Sequence, residues 1–157
     1  MKTLLQFLTR TSGSVAPLVL RLTLALVFFP HGAQKMLGWF GGYGFTGTMG
    51  YFTGQGMPYG VALLPVLTEF LAPFALAAGL FTRIAALALG FEMIVAALMV
   101  HVANGFFMNW FGNQKGEGFE YHLMAIGMAL ALMVQGAGRW SVDQIIAGQT
   151  GAETETR

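Results

Sequence analysis

Residues 60–102 read GVALLPVLTEFLAPFALAAGLFTRIAALALGFEMIVAALMVHV, and this stretch decides the fold. Two apolar runs, Gly60 to Phe81 and Ile84 to Val102, are separated only by Thr82 and Arg83. Each is close to the ~20 residues an α-helix needs to cross the ~30 Å hydrocarbon core of a bilayer. So short a connection makes the two helices antiparallel neighbours. Outward from this hairpin, a third apolar run extends from about Pro17, a favoured first-turn residue, to Leu37. A fourth, more weakly bounded, extends from Phe119 to Ala137.

The composition agrees. Of 157 residues, 55% are hydrophobic and only 10% charged, against about a quarter charged in ordinary soluble domains. The net charge of +1 and the scattering of the eight Lys and Arg residues exclude a nucleic-acid binder. The absence of Cys removes disulfides, thiolate-held clusters and Cys-ligated zinc. Lys2 and Arg10 precede the first apolar run in the manner of a secretory signal, but the run is too long and no small-residue cleavage site follows, so an uncleaved first helix is expected.

The predicted fold is therefore all-α: one four-helix transmembrane bundle over residues 1–147, with spans near 17–37, 60–81, 84–102 and 119–137. A disordered tail is expected over 148–157. Lys2, Arg10, Arg83, Arg139 and Arg157 fall on one side of such a bundle and only Lys115 and Lys35 on the other, so both termini are expected in the cytoplasm. The uncharged, Gly- and aromatic-rich stretch 38–59 places Phe45, Met49 and Phe52 on one face of a short helix. It reads either as a lid on the outer surface or as a connector whose Trp39, Tyr43, Tyr51 and Tyr59 belong to the interfacial aromatic belt. Ser141 with Gln144 three positions on is a capping-box spacing and predicts a short cytoplasmic helix to about Ala147.

Ionisable residues inside these spans carry the functional signal, because a charge at the bilayer centre costs at least ~3 kcal/mol and so needs a partner, a proton or a purpose. Glu69 and Glu92 both fall about 12–14 Å from a membrane face at 1.5 Å per residue, too deep to snorkel. They are the candidate catalytic residues. Glu69 shares its face with Ala62, Pro65, Ala72 and Pro73, and Glu92 with Ala85, Ala88, Ala96 and Met99, so both are expected to point into the bundle. Arg21, Ala25, Phe28, Gly32 and Lys35 form a stripe on the first helix that would set cations beside the carboxylates. His31, Lys35, His101, Glu120 and His122 gather polar groups from three helices at the outer end. The expected ligand-binding set is Arg21, His31, Lys35, His101, Glu120 and His122. The bland alternative is that Arg21 and Lys35 snorkel to the two surfaces while His101, Glu120 and His122 are merely wetted. A haem or metal held by His31, His101 and His122 has nothing to fix its geometry, and no metal site is expected.

The run Arg21 to Lys35 with His31-Gly32, Glu69, the segment Gly79-Leu80-Phe81-Thr82-Arg83, Glu92 and His101, and the ending Gly136-Ala137-Gly138-Arg139-Trp140-Ser141-Val142-Asp143 together resemble the DoxX family. The resemblance runs over about residues 15–147, with Asn109 to Gly118 as a polar insertion. It implies a small four-helix protein of the bacterial cytoplasmic (inner) membrane. Some family members are related to the membrane subunit of thiosulfate:quinone oxidoreductase, and others are linked to membrane assemblies that answer oxidative stress.

Three functional readings remain at this point. The first is an oxidoreductase subunit handling a quinone or small anion, working with redox-protein partners or as a homo-oligomer. The second is a non-catalytic anchor or assembly protein whose polar interior only stabilises the bundle. The third is a small proton-coupled transporter, since midplane carboxylates and Pro65 and Pro73 in one helix fit a coupling-ion site.

Overall fold

The computed structural model describes residues 2–150. Among these the chain is helical throughout, with no strand. A short α1 (Lys2–Thr9) precedes α2 (Ala16–Leu37); α3 (Gly44–Gly54) is followed by α4 (Tyr59–Ala78), α5 (Thr82–Ala96), α6 (Glu120–Gln135) and α7 (Val142–Thr150). Three helices are long and apolar enough to cross a membrane: α2 with 22 residues, α4 with 20, and a 23-residue stretch in which α5 runs on to Asn104. That continuation changes pitch, as a π-helical turn over Ala97–His101 and a 3-10 turn over Val102–Asn104. The stretch read as a fourth span forms the 16-residue α6.

The four long elements close into a ring in which α2 packs on α4, α4 on α5, α5 on α6 and α6 back on α2. Small residues set the spacing. Gly90 of α5 approaches the Ala129 side chain of α6 closely enough that a Cβ there would lie 3.1 Å from it. Leu24, Phe28, Leu76, Leu89 and Leu132 meet in the centre, each no more than 1% exposed. Outside, Leu26, Leu64, Phe91, Leu98 and Val134 are exposed, which is the inside-out surface expected where lipid is the solvent.

Both α1 and α7 lie at one end of this ring, packed against each other; we call it the terminal end. It is closed by hydrogen bonds to the groups that helix ends leave unpaired. Arg21, buried in α2, donates to five carbonyls: Leu76 and Ala77 at the end of α4, and Ala137, Arg139 and Trp140 beyond α6. Arg83 donates to Met133 and Val134 at the end of α6 and to Arg10. The Asp143 carboxylate accepts from the backbone N–H groups of Phe81 and Thr82 at 2.7 and 2.9 Å, so a residue of α7 caps the start of α5. Gly79, at φ 66°, ends α4 in the left-handed conformation with Ser141 and Arg21 pressed against it.

The capping spacing at Ser141 is used as the sequence predicts. Ser141 Oγ accepts from the Gln144 N–H at 3.2 Å, while Gln144 Oε1 accepts from the Trp140 N–H at 3.1 Å. The helix it opens runs past Ala147, so residues 148–150 are helical instead of belonging to a disordered tail. The rest of that expected tail, 151–157, lies outside the described residues. The helix expected within 38–59 is α3, and Phe45, Met49 and Phe52 do share a face: Met49 is buried against Ala62 and Val66 of α4, with Phe45, Phe52 and Met36 around them.

A candidate polar site at the α4–α5 seam

Near the middle of the ring the apolar core gives way to a polar layer. Lys35, near the end of α2, forms an ion pair with Glu69 of α4, their side chains 25% and 8% exposed. The pair forms because α2 and α4 touch there: Gly32, one turn before Lys35, lies directly on the Glu69 and Phe70 backbone, leaving no room for a Cβ.

Across the seam from Glu69 stands Glu92 of α5, within hydrogen-bonding reach of it and inside the field of Lys35. A hydrogen bond between two carboxyl groups requires a proton on one of them. The other face of Glu92 is unsatisfied, since its Oε2 is buried without a hydrogen-bond partner among the described residues. Tyr121 of α6 lies close enough to feel the charges of both carboxylates, and its hydroxyl is likewise buried and unpartnered. Its ring packs on Phe28 of α2 at 6.4 Å between centroids. Beside it, His122 is 6% exposed with an unpartnered Nδ1, and its ring lies against that of His101 at 4.0 Å. The π-helical turn of α5 carries His101, whose Nδ1 pairs with the Glu117 carbonyl at 2.8 Å.

Of the residues singled out in the sequence, the structure thus brings together Lys35, Glu69 and Glu92, with His122 and His101 continuing the layer through Tyr121. The stripe around Glu92 is rotated from the one expected. The buried strip of α5 is Ala85, Ala86, Leu89, Gly90, Met93 and Ala97, whereas Met99 is 68% exposed. Glu92 therefore sits on the flank of α5, in the seam with α4.

Three predicted residues lie elsewhere. Arg21 is at the terminal end, its guanidinium taken up by carbonyls, so the cationic stripe of α2 meets the carboxylates only at Lys35. His31 is exposed on the outer face of α2, beside Phe28 at 6.5 Å. Glu120 holds the preceding loop, its Oε2 accepting the Met108 N–H at 3.2 Å. Tyr121 went unread in the sequence; its signal was a phenol where the other residues entering an apolar helix are already polar, in Glu120-Tyr121-His122. Among the described residues no three His, Asp or Glu side chains are grouped to hold a metal.

A chain helical throughout its described residues, with three apolar helices of membrane length and a partly buried ion pair joining two of them, is an integral membrane protein. The DoxX family model matches residues 16–102, more than half of the chain, and the protein belongs to the DoxX family. That match takes in Lys35, Glu69, Glu92 and His101 and stops before Tyr121 and His122. The chain is also similar to an uncharacterized protein of Haemophilus influenzae, 31% identical over 142 residues that cover 85% of each. No solved structure matches it.

Proposed function

We propose that this DoxX-family membrane protein is a quinone-handling subunit of a membrane redox system, crossing the bacterial cytoplasmic membrane four times with both termini inside. The topology draws on two observations. Arg10, Arg83 and Arg139 gather at the terminal end, where Arg83 bonds the Arg10 carbonyl and Arg21 the Arg139 carbonyl, and the positive-inside rule assigns such an end to the cytoplasm. The α6 helix, about 24 Å long at 1.5 Å per residue, packs on α5 and α2 and crosses nearly the whole core.

The observation that carries the redox reading is the trio of buried, unpartnered polar atoms on adjoining helices: Glu92 Oε2, Tyr121 Oη and His122 Nδ1. Each costs about 1–3 kcal/mol if it serves structure alone. An apolar-ringed ligand bearing carbonyl oxygens satisfies them. The Tyr121 hydroxyl and a His122 N–H donate to such oxygens, while Glu92, within reach of Glu69, is placed to pass a proton to the ligand. Lys35 holds Glu69 in place. A quinone, when bound, supplies the carbonyl oxygens and takes up electrons together with protons. Two carboxyl groups against one ammonium favour such a neutral ligand over a small anion. The electrons come from a partner redox protein.

The test is quinone binding by purified protein in lipid nanodiscs. Glu92→Gln and Tyr121→Phe are each expected to weaken binding by about tenfold, the equivalent of one lost hydrogen bond near 1.4 kcal/mol. Equal binding by the wild type and both variants would show that the polar layer is not a quinone site.

A second reading, the anchor, has one observation in its favour: the segments Gly79 to Arg83 and Gly136 to Asp143 are engaged in closing the terminal end. Wild-type protein that binds no quinone but co-purifies with a stoichiometric protein partner would favour it.

A further inference from the structure

Below the carboxylate layer the α4–α5 seam opens into a groove of about 290 Å³, lined by residues that include Leu71, Ala72, Ala75, Ile84, Ala85 and Ala88. Its upper end adjoins the polar site. On α4, Ala72 stands one helical turn from Glu69, and on α5, Ala88 stands one turn from Glu92, each on the strip of its helix that carries the carboxylate. The lining is aliphatic apart from Thr68 and Phe81, and the small side chains of Ala72, Ala75, Ala85 and Ala88 are what leave the space. The lower end stops at Leu80 and Phe81, the turn clamped by Asp143.

Two other approaches to the layer are obstructed. Toward the terminal end lie the fully buried Leu24, Leu76, Leu89 and Leu132 and then Arg21 with its five carbonyls. Toward the other end α3 is packed over α2 and α4. The groove is open along the seam, where Leu71 and Ile84 are exposed, and Ala88, one turn from Glu92, lines it.

From this continuity, and resting on the quinone reading above, we infer that the ligand is a long-tailed quinone, reaching the site sideways from the bilayer between α4 and α5, with its ring in the Glu69–Glu92 layer and its hydrocarbon tail in the groove. At about 290 Å³ the groove is at the small end for ligand pockets of roughly 300–1,000 Å³. It takes a length of flexible chain, and the ring belongs in the polar layer above. Burying that chain against aliphatic side chains adds affinity in proportion to the apolar area covered.

Filling the groove separates tail from ring. In nanodiscs of one lipid composition, the wild type and Ala88→Phe are titrated with a decyl-tailed benzoquinone and with the same ring bearing only a methyl group. Ala88 is partly exposed, so the larger ring is accommodated without opening the core. The expected result is that Ala88→Phe weakens the tailed quinone by about tenfold and leaves the methyl compound unchanged. A tailed quinone carrying a photoreactive group at its chain end is expected to label peptides within 67–88 in the wild type. Unchanged binding of the tailed compound by Ala88→Phe, with labelling outside 67–88, would overturn the groove while leaving the polar site standing. If the wild type binds neither compound, the quinone reading itself falls, and the groove assignment with it.

Discussion

Gly32 of α2 lies against the backbone of Glu69 so closely that no Cβ fits between them. This contact brings the two helices together where Lys35, one turn further on, meets the Glu69 carboxylate. Gly32→Ala is therefore expected to push α2 and α4 apart and destabilise the protein by about 1–3 kcal/mol, as overpacking does. Gly127→Ala, at a position with open space around it, is the control and should leave the melting temperature unchanged or slightly raised. Thermal unfolding in detergent checks both; an unaltered Gly32→Ala would mean the close approach is not needed.

The Lys35–Glu69 pair makes its own prediction. Removing one partner leaves the other charge uncompensated in an apolar surrounding, whereas removing both does not. Lys35→Met and Glu69→Leu should each destabilise more than the double variant does relative to either, with a coupling of about 0.5–3 kcal/mol in a double-mutant cycle. Additive effects would deny the pair a structural role.

Arg21 differs from Lys35 in that its partners are carbonyls. Arg21→Lys keeps the charge but loses the planar fork that reaches both α4 and the segment beyond α6. Each carbonyl left unpaired costs about 1 kcal/mol or more, so Arg21→Lys should lower stability nearly as far as Arg21→Met. Full rescue by lysine, read from thermal melts, would show that charge alone matters there.

Asp143 gives a pH dependence. Burial raises its carboxyl above the ordinary aspartate value, and the backbone N–H groups of Thr82 and Phe81 and the neighbouring Arg83 oppose this only in part. A group whose folded-state pKa is raised contributes stability that is complete below its unfolded value and fades as the pH rises through the folded one. The wild type should thus lose stability relative to Asp143→Asn as the pH climbs above the ordinary aspartate range. Melting temperatures of the two proteins across that range decide it; a difference that grows in favour of the wild type would reverse the sign and give the N–H bonds the larger part.

Tyr121 separates a site from a scaffold. Its buried hydroxyl has no partner among the described residues, so Tyr121→Phe should leave stability unchanged or raise it by about 1 kcal/mol. Together with weakened quinone binding, that result marks the phenol as kept for a ligand. A marked loss of stability would instead place it in the structural network.

That this is a membrane protein built of apolar helices is legible along the chain. Length and hydrophobicity are read residue by residue, and a bilayer turns them directly into helices because unpaired backbone groups cannot remain in hydrocarbon. The sequence also marks Glu69 and Glu92, whose charge cannot reach water, and the capping pair Ser141 and Gln144, whose bonds are local. Which polar groups meet follows only from how the helices pack. A helical repeat reports a face only to within the width of a side chain, so the stripe through Ala85, Ala88, Glu92 and Met99 reads as central, although of these Ala85 alone joins Leu89, Gly90 and Met93 on the buried strip. Arg21 and Lys35 share one stripe of α2, yet about 21 Å of helix axis separates them, and their partners come from different ends of other helices. Neither the closure of the terminal end by α7 nor the meeting of Tyr121 with Glu92 can be read from spacing along the chain, because both depend on the order in which the helices surround the common axis.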